Sequence, residues 1–422
     1  MADLRCNLGG IESPNPFWLA SAPPTDKAYN VVRAFEAGWG GVVWKTLGED
    51  PPVVNVSSRY GAVSYKGQRM AGFSNIELIS DRPLKLNLDE IARTKREWPD
   101  RAMVVSRMVP CREENWRAIL PRVEDTGCDG IELNLGCPHG MSERQMGSAV
   151  GQVPDLVERV TAWCKRHTSL PVIVKLTPNI TDILMPAAAA KRGGADAVSL
   201  INTIQSITGV DLDTMSPMPV VDGQGTHGGY CGPAVKPIAL RMLGDIARDI
   251  PDLALSGIGG VSTWRDAAEF IALGATNVQV CTAAMHHGFK IVEDLIDGLS
   301  NWMDEKGYGC IEQVRGRAVP NYVHWESLNL NFRTIAAIDQ GLCIGCGLCH
   351  IGCEDTSHQA IRVSRQAEGN RYEVIDRECV GCNLCHLACP VEGCITMVPQ
   401  PPNGPRLTWA EHPDNPHRGE PQ

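Results

Sequence analysis

A chain of 422 residues with 43% hydrophobic and 21% charged residues is long enough for more than one domain and apolar enough for a sizeable core, which excludes a disordered chain. Lys and Arg number 39 against 49 Asp and Glu, a net charge of −10 without any basic run, so nucleic acid is excluded as a partner class. The N-terminal MADLRCNLGG has no apolar signal core and no stretch of about 18 apolar residues occurs, so a cytoplasmic protein without a membrane span is expected, whose 17 cysteines serve as metal ligands, catalytic thiols or buried free thiols.

From residue 15 to about 300, short runs rich in Val, Ile and Leu alternate with longer segments whose apolar residues recur at helical spacing. Strands are predicted at 18–21, 41–45, 103–107, 130–134, 172–175, 197–201, 253–256 and 277–280. Helices are predicted at 27–37, 115–126, 154–167, 181–192, 235–250 and 263–273. Eight strand-and-helix units imply an α/β fold, a (β/α)8 TIM barrel over residues 1–303, with chemistry at the C-terminal ends of the strands. An open doubly wound sheet is the alternative, because periodicity does not show closure. Residues 304–335 are expected to form a linker, 336–398 a small ferredoxin-like domain, and the Pro-rich 399–422 a tail.

The predicted strand ends carry polar residues: Lys45 and Thr46, Asn134, Lys175, then Asn202 and Thr203. Such a mouth suits a polar, planar, anionic ligand. A lysine ending an apolar strand is costly without a partner, so Lys45 and Lys175 are expected to meet a cofactor rather than lie along the surface. In Ser256-Gly257-Ile258-Gly259-Gly260 bare amides lead into a helix, whose N-terminus, with Cys281 and Thr282, could receive a phosphate. A GxGxxG after an early strand is lacking, so a nicotinamide site would need another subunit. Cys137 directly follows the fourth strand, where a thiol of pKa about 8.5 can exchange a proton with a substrate; the alternative is an inert buried cysteine.

Near the C-terminus, Cys343, Cys346, Cys349 and Cys353, then Cys379, Cys382, Cys385 and Cys389, repeat the bacterial ferredoxin spacing C-x2-C-x2-C-x3-C. The fourth cysteine of each run reaches across. One [4Fe-4S] cluster is therefore assigned to Cys343, Cys346, Cys349 and Cys389, the other to Cys379, Cys382, Cys385 and Cys353. Two zinc sites would need no crossing. Pro390 follows the second run, whereas Glu354 stands in that place after the first.

With NPFWLASAPPT (15–25), AFEAGWGGVVWKT (34–46), FSNIELIS (73–80), ELNLGCPHGM (132–141), VKLTPNITDI (174–183), INTIQSITGVDL (201–212), GGYCGPAVKPIALR (228–241), SGIGG (256–260) and VQVCTA (278–283), the chain resembles the dihydropyrimidine dehydrogenase family, in particular the iron-sulfur, FMN-containing subunit of the bacterial NAD-dependent type, and more distantly the class 1 dihydroorotate dehydrogenases. The resemblance implies FMN held by Ala20, Ser21, Lys45, Thr46, Lys175, Gly232, Ile258, Gly259, Gly260, Cys281 and Thr282. It implies a pyrimidine at Asn75, Asn134, Leu135, Gly136, Asn202 and Thr203, with Cys137 as catalytic acid. Uracil or thymine would gain hydride at C6 and a proton at C5, and the 5,6-dihydro forms would react in reverse. Gly136 stands where the family more often has Ser, which removes a hydroxyl beside the substrate and leaves the preference among pyrimidines open, whereas His139 stands where dihydroorotate dehydrogenases usually carry Asn, which favours uracil or thymine over orotate.

FMN and two clusters without a nicotinamide fold make half of an electron path, so an FAD- and NAD(P)H-binding flavoprotein is the implied partner. The resemblance implies the same partner, and a hetero-oligomer containing a dimer of this chain. A chain that begins with the barrel is expected to be of the type that keeps that module separate. A dihydroorotate dehydrogenase-like flavin enzyme and a pure electron-transfer subunit are the competing readings.

Overall fold

The computed structural model describes residues 2–138, 144–367 and 369–419, so the expectation attached to His139 lies outside the described residues. Eight parallel strands close a barrel: β1 Phe17–Leu19, β2 Gly41–Leu47, β3 Ala102–Arg107, β4 Gly130–Asn134, β5 Val172–Lys175, β6 Ala197–Leu200, β7 Ala254–Ile258 and β8 Asn277–Val280. Closure is shown by β8 pairing with β1, Val280 opposite Leu19, which removes the open-sheet alternative. Each strand is followed by a helix: α1 Ala28–Ala37, α2 Leu84–Glu97, α3 Glu113–Glu124, α4 Pro154–His167, α5 Leu184–Arg192, α6 Lys236–Asp249, α7 Trp264–Ala272 and α8 Ile291–Lys306.

Burial on both faces explains why the strands read as continuous apolar runs: every residue of β2, GVVWKTL, is buried, including Lys45 and Thr46. The hairpin of Cys6–Leu8 and Ile11–Ser13 packs Leu8 and Ile11 against Trp18, Val43, Val104 and Ile173 inside the barrel. Ile11 reaches so far under β4 that a Cβ on Gly130 would stand 2.4 Å from its Cδ1. With that end filled, the C-terminal strand ends are left to carry the site.

Two long excursions rise from those ends. The strands Tyr60–Tyr65 and Gln68–Asn75, inserted between β2 and α2, join Gly228–Cys231 and Ile204–Ser206 in a four-stranded antiparallel sheet. The predicted strands did not include this sheet, since Tyr60–Tyr65 is largely exposed and carries no continuous apolar run, and the strands it is joined to through Gln68–Asn75 come from a distant part of the chain. Helices α2 and α8 also went unread.

The chain divides into two compact units, one ending at Tyr322 and the other beginning at Val323. Residues 304–335, expected as a linker, are thus shared between them. Ile311 and Val314 are buried in the barrel's core, and the N–H groups of Gly316 and Ala318 donate to Ile271 and Ala272 at 3.0 and 2.8 Å. Isolated apolar anchors without a period gave no signal of this packing.

In the second unit, Arg333–Ile338 pairs antiparallel with Ile395–Gln400, and Ile361–Gln366 with Gly369–Val374. The two cysteine runs fold alike. Each enters a helix, α9 Leu348–Thr356 and α10 Leu384–Ala388, through a left-handed residue, Gly347 or Asn383. In each helix a histidine, His350 or His386, places Nδ1 2.6 Å from a backbone carbonyl, that of Ile361 or Ile395. The expected tail starts later than 399, because the last strand runs to Gln400. It then folds back, with Leu330 N–H donating to Leu407 at 2.8 Å and Asn331 Nδ2 to Pro405 at 2.6 Å.

Candidate active site and candidate cluster sites

An open cleft of about 1110 Å³ lies at the C-terminal mouth of the barrel. It is lined by Ala20, Ser21, Lys45, Thr46, Asn75, Asn134, Cys137, Lys175, Asn202, Thr203, Gly232, Ile258, Gly259, Gly260, Cys281 and Thr282. Leu135 and Gly136 do not line it. Leu135 belongs to the core, and their N–H groups donate to Leu133 O at 3.0 Å and Asn134 Oδ1 at 3.3 Å. Gly136 matters by its size: a Cβ there would stand 2.7 Å from Asn202 Cβ, so the absent side chain lets Asn202 come close.

The polar residues form one chain of hydrogen bonds. Thr203 N–H donates to Asn202 Oδ1 at 2.8 Å, Asn202 Nδ2 to Asn134 Oδ1 at 3.0 Å, and Asn134 Nδ2 to Thr46 Oγ1 at 2.9 Å. Thr46 Oγ1 also lies 3.0 Å from Ser21 Oγ and 2.9 Å from Ser106 Oγ. Asn75, on the inserted sheet, donates to Gly229 O at 3.2 Å. Each of these amides keeps a second N–H, and Asn75 and Asn202 keep a lone pair on Oδ1 as well, whereas Asn134 Oδ1 already accepts from Gly136 and Asn202, so the row can present donors and acceptors to one ring.

Both buried lysines are matched by carboxylates. Lys45 Nζ is 2.6 Å from Glu77 Oε1 and 3.7 Å from Asp26 Oδ2. Lys175 Nζ is 3.7 Å from Glu132 Oε1, in the barrel interior, where Glu132 Oε2 accepts from Ser199 at 2.8 Å. Burial raises the Asp26 carboxyl, and burial followed by the hydrogen bond to Glu77 pushes Tyr60 up to about 12. Of three thiols lining the cleft, burial drives Cys231 to about 11 and Cys281 to about 12, which keeps both protonated at neutral pH. Cys137 is half-buried, and its carbonyl accepts from Ser148 N–H at 3.0 Å.

Gly259 and Gly260 have φ of +124° and +81°, and a Cβ on Gly260 would meet Lys236 Cβ at 2.8 Å, so glycine is required where the backbone turns past the cleft. A capping box starts the following helix. Asp266 accepts from the N–H groups of Ser262 and Thr263 at 3.0 and 2.8 Å, so the start of α7 is capped by its own carboxylate.

Sequence reasoning missed Tyr60, Phe73, Glu77, Cys231 and Gln279, which also line the cleft. Gln279 was legible as one polar residue between Val278 and Val280 in a buried strand. Its Oε1 is buried without a hydrogen-bond partner among the described residues. Glu77 lay within a quoted motif, FSNIELIS, with nothing to indicate that it faces Lys45.

In the second unit, Cys343, Cys346, Cys349 and Cys389 line one cavity of about 310 Å³, and Cys353, Cys379, Cys382 and Cys385 another of about 350 Å³. A ninth cysteine, Cys394, joins the first group. Among the described residues no group of three or more His, Cys, Asp or Glu side chains is arranged to hold a single metal ion. All 17 cysteines are free of disulfides, and among the described residues no helix is long and apolar enough to cross a membrane.

Residues 4–303 match the dihydroorotate dehydrogenase family and residues 336–397 the 4Fe-4S dicluster domain. The chain is 41% identical over 367 residues to the NAD-dependent dihydropyrimidine dehydrogenase subunit PreA of Escherichia coli K12, covering 86% of this chain and 88% of that one. It is 43% identical over 328 residues to the chloroplastic dihydropyrimidine dehydrogenase (NADP(+)) of Arabidopsis thaliana, covering 75% and 77%. Identity to the catalytic subunit of dihydroorotate dehydrogenase B (NAD(+)) of Thermococcus kodakarensis is 35% over 325 residues, 76% of this chain and 99% of that one. The solved dihydroorotate dehydrogenase of Eimeria tenella shares the fold at a TM-score of 0.61 and 18% identity, over 74% and 88% of the two chains. The chain is therefore a dihydropyrimidine dehydrogenase-family oxidoreductase, built on the dihydroorotate dehydrogenase barrel and continued by a 4Fe-4S dicluster domain.

Proposed function

We propose that this chain reversibly reduces uracil and thymine to their 5,6-dihydro forms, with FMN in the barrel cleft and two [4Fe-4S] clusters relaying electrons from an FAD-containing, NAD(P)H-oxidising partner. The observation that carries the reading is the convergence of Asn75, Asn134, Asn202, Thr203 and the Cys137 thiol on a cleft floored by two buried lysines.

The residues fit a flavin. Gln279 Oε1 is a buried acceptor that a ring N–H would satisfy, and the remaining N–H donors of Lys45 and Lys175, beyond those directed at their carboxylates, would meet its acceptor-rich edge. Gly232, Gly259, Gly260 and Thr282 would hold the phosphate, with Ile258 and Cys281 beside them, and Ala20, Ser21 and Thr46 would border the ring. Bound there, FMN would supply the hydride for C6 of the pyrimidine. The asparagine row would orient the ring by its carbonyl and N–H groups in both directions. Cys137 would give its thiol proton to C5, so that hydride and proton complete the two-electron reduction, and would take that proton back in the reverse reaction.

Four thiolates around each small cavity fit a cubane, in the crossed sets Cys343, Cys346, Cys349 with Cys389, and Cys379, Cys382, Cys385 with Cys353. A flavoprotein partner is supported by the word subunit in the name of the E. coli relative, and a cytoplasmic setting by unbridged thiols. Assembly as a hetero-oligomer containing a dimer of this chain belongs to the same reading.

Cofactor content tests it. Purified anaerobically, the chain is expected to release one FMN, identified by mass, and about eight irons. A chain without flavin, or with one metal ion for each cysteine quartet, would contradict the assignment.

A further inference from the structure

We propose that Glu77 is a specificity-determining residue that bars pyrimidines bearing a carboxylate from the cleft. The inference rests on the pyrimidine reading above and deepens it.

A buried cation at a ligand-binding mouth is the natural partner for an anionic substrate, and the cleft has two, Lys45 and Lys175. Neither offers an unmatched charge. Glu132 faces Lys175 at 3.7 Å, and Glu77 holds Lys45 at 2.6 Å while Asp26 stands 3.7 Å from the same ammonium. Glu77 and Asp26 together balance Lys45 and the Arg59 guanidinium beside Glu77, so that corner of the cleft has no net positive charge to give. Glu77 is also held in place. Its Oε2 accepts from the Tyr60 hydroxyl, and Arg59 Nε stands 3.7 Å away, so Glu77 is gripped from the inserted sheet as well as from β2.

Glu77 lines the cleft two residues after Asn75, on the wall that also carries Tyr60 and Phe73. A ligand carboxylate entering beside that wall must either displace Glu77 from Lys45 or rest against a like charge, in surroundings that screen it poorly. A neutral ring bears neither cost. Selection then works by rejection: the site need not gain affinity for uracil or thymine to exclude their carboxylated analogue.

The test is equilibrium dialysis of the holoenzyme with uracil, orotate and methyl orotate, the last being the neutral ester of the same ring. The wild-type protein is expected to bind uracil and the ester, and to bind orotate at least about tenfold more weakly than the ester. In Glu77→Gln the orotate-to-uracil affinity ratio is expected to rise about tenfold or more, whereas Glu77→Asp keeps the rejection. A flavin-loaded Glu77→Gln protein with the wild-type ratio would overturn the proposal. Should that variant not fold, equal rejection of ester and acid by the wild-type protein would overturn it instead. A wild-type holoenzyme that binds no uracil would overturn the pyrimidine reading and this inference with it, a result distinct from the other two.

Discussion

Replacing Cys137 by alanine is expected to lower pyrimidine turnover by about 100- to 10,000-fold, the range for removal of a general acid, with flavin and iron content unchanged. Cofactor content should hold because Cys137 belongs to neither cysteine quartet, and the contact it makes through its carbonyl to Ser148 N–H is kept by any residue. The neighbouring thiols give no rescue. Burial keeps Cys231 and Cys281 protonated up to about 11 and about 12, so neither regains or releases a proton readily near neutral pH. The check is steady-state oxidation of a reduced dye by uracil, beside flavin and iron analysis of the same preparation. Unchanged turnover would remove Cys137 from the mechanism.

The second large effect concerns the crossed cysteines. In Cys353→Ala the iron content is expected to fall from about eight to about four, and the cluster lost is the one that shares no other ligand with the first run. Cys353 lies in sequence between Cys349 and the strand pair Ile361–Gln366 and Gly369–Val374, yet it lines the cavity of Cys379, Cys382 and Cys385. Alkylation followed by peptide mapping should therefore find Cys379, Cys382 and Cys385 newly reactive, with Cys343, Cys346 and Cys349 still protected. The opposite pattern would mean that each run holds its own cluster. Cys353 is the sharper choice over Cys389, because Cys394 stands beside Cys389's group and could take its place.

The barrel was legible because its strands are buried on both faces. Runs such as MVV in β3 and VIV in β5 announce themselves, and the polar residue that ends each run marks the mouth. The cysteine spacing was legible for a chemical reason, since few ligands other than a cubane require it. Contacts between residues distant in sequence could not be read. Glu77 meets Lys45 across 32 positions, and Glu132 meets Ser199 across 67, each pairing set by barrel closure and by the inserted sheet rather than by any local pattern. Asp266 shows the same limit locally: the sequence presented the start of a helix, without showing that its third residue closes a capping box with Thr263.

The most direct test of the pyrimidine reductase assignment is anaerobic. The purified chain, carrying flavin and iron but no partner, is supplied with a reduced viologen dye, and uracil, thymine and orotate are added in turn. Oxidation of the dye by uracil or thymine, and not by orotate, is the predicted result. Oxidation by orotate alone would contradict the account in favour of a dihydroorotate-type enzyme, and no oxidation by any of the three, with cofactors intact, would reduce the chain to an electron carrier.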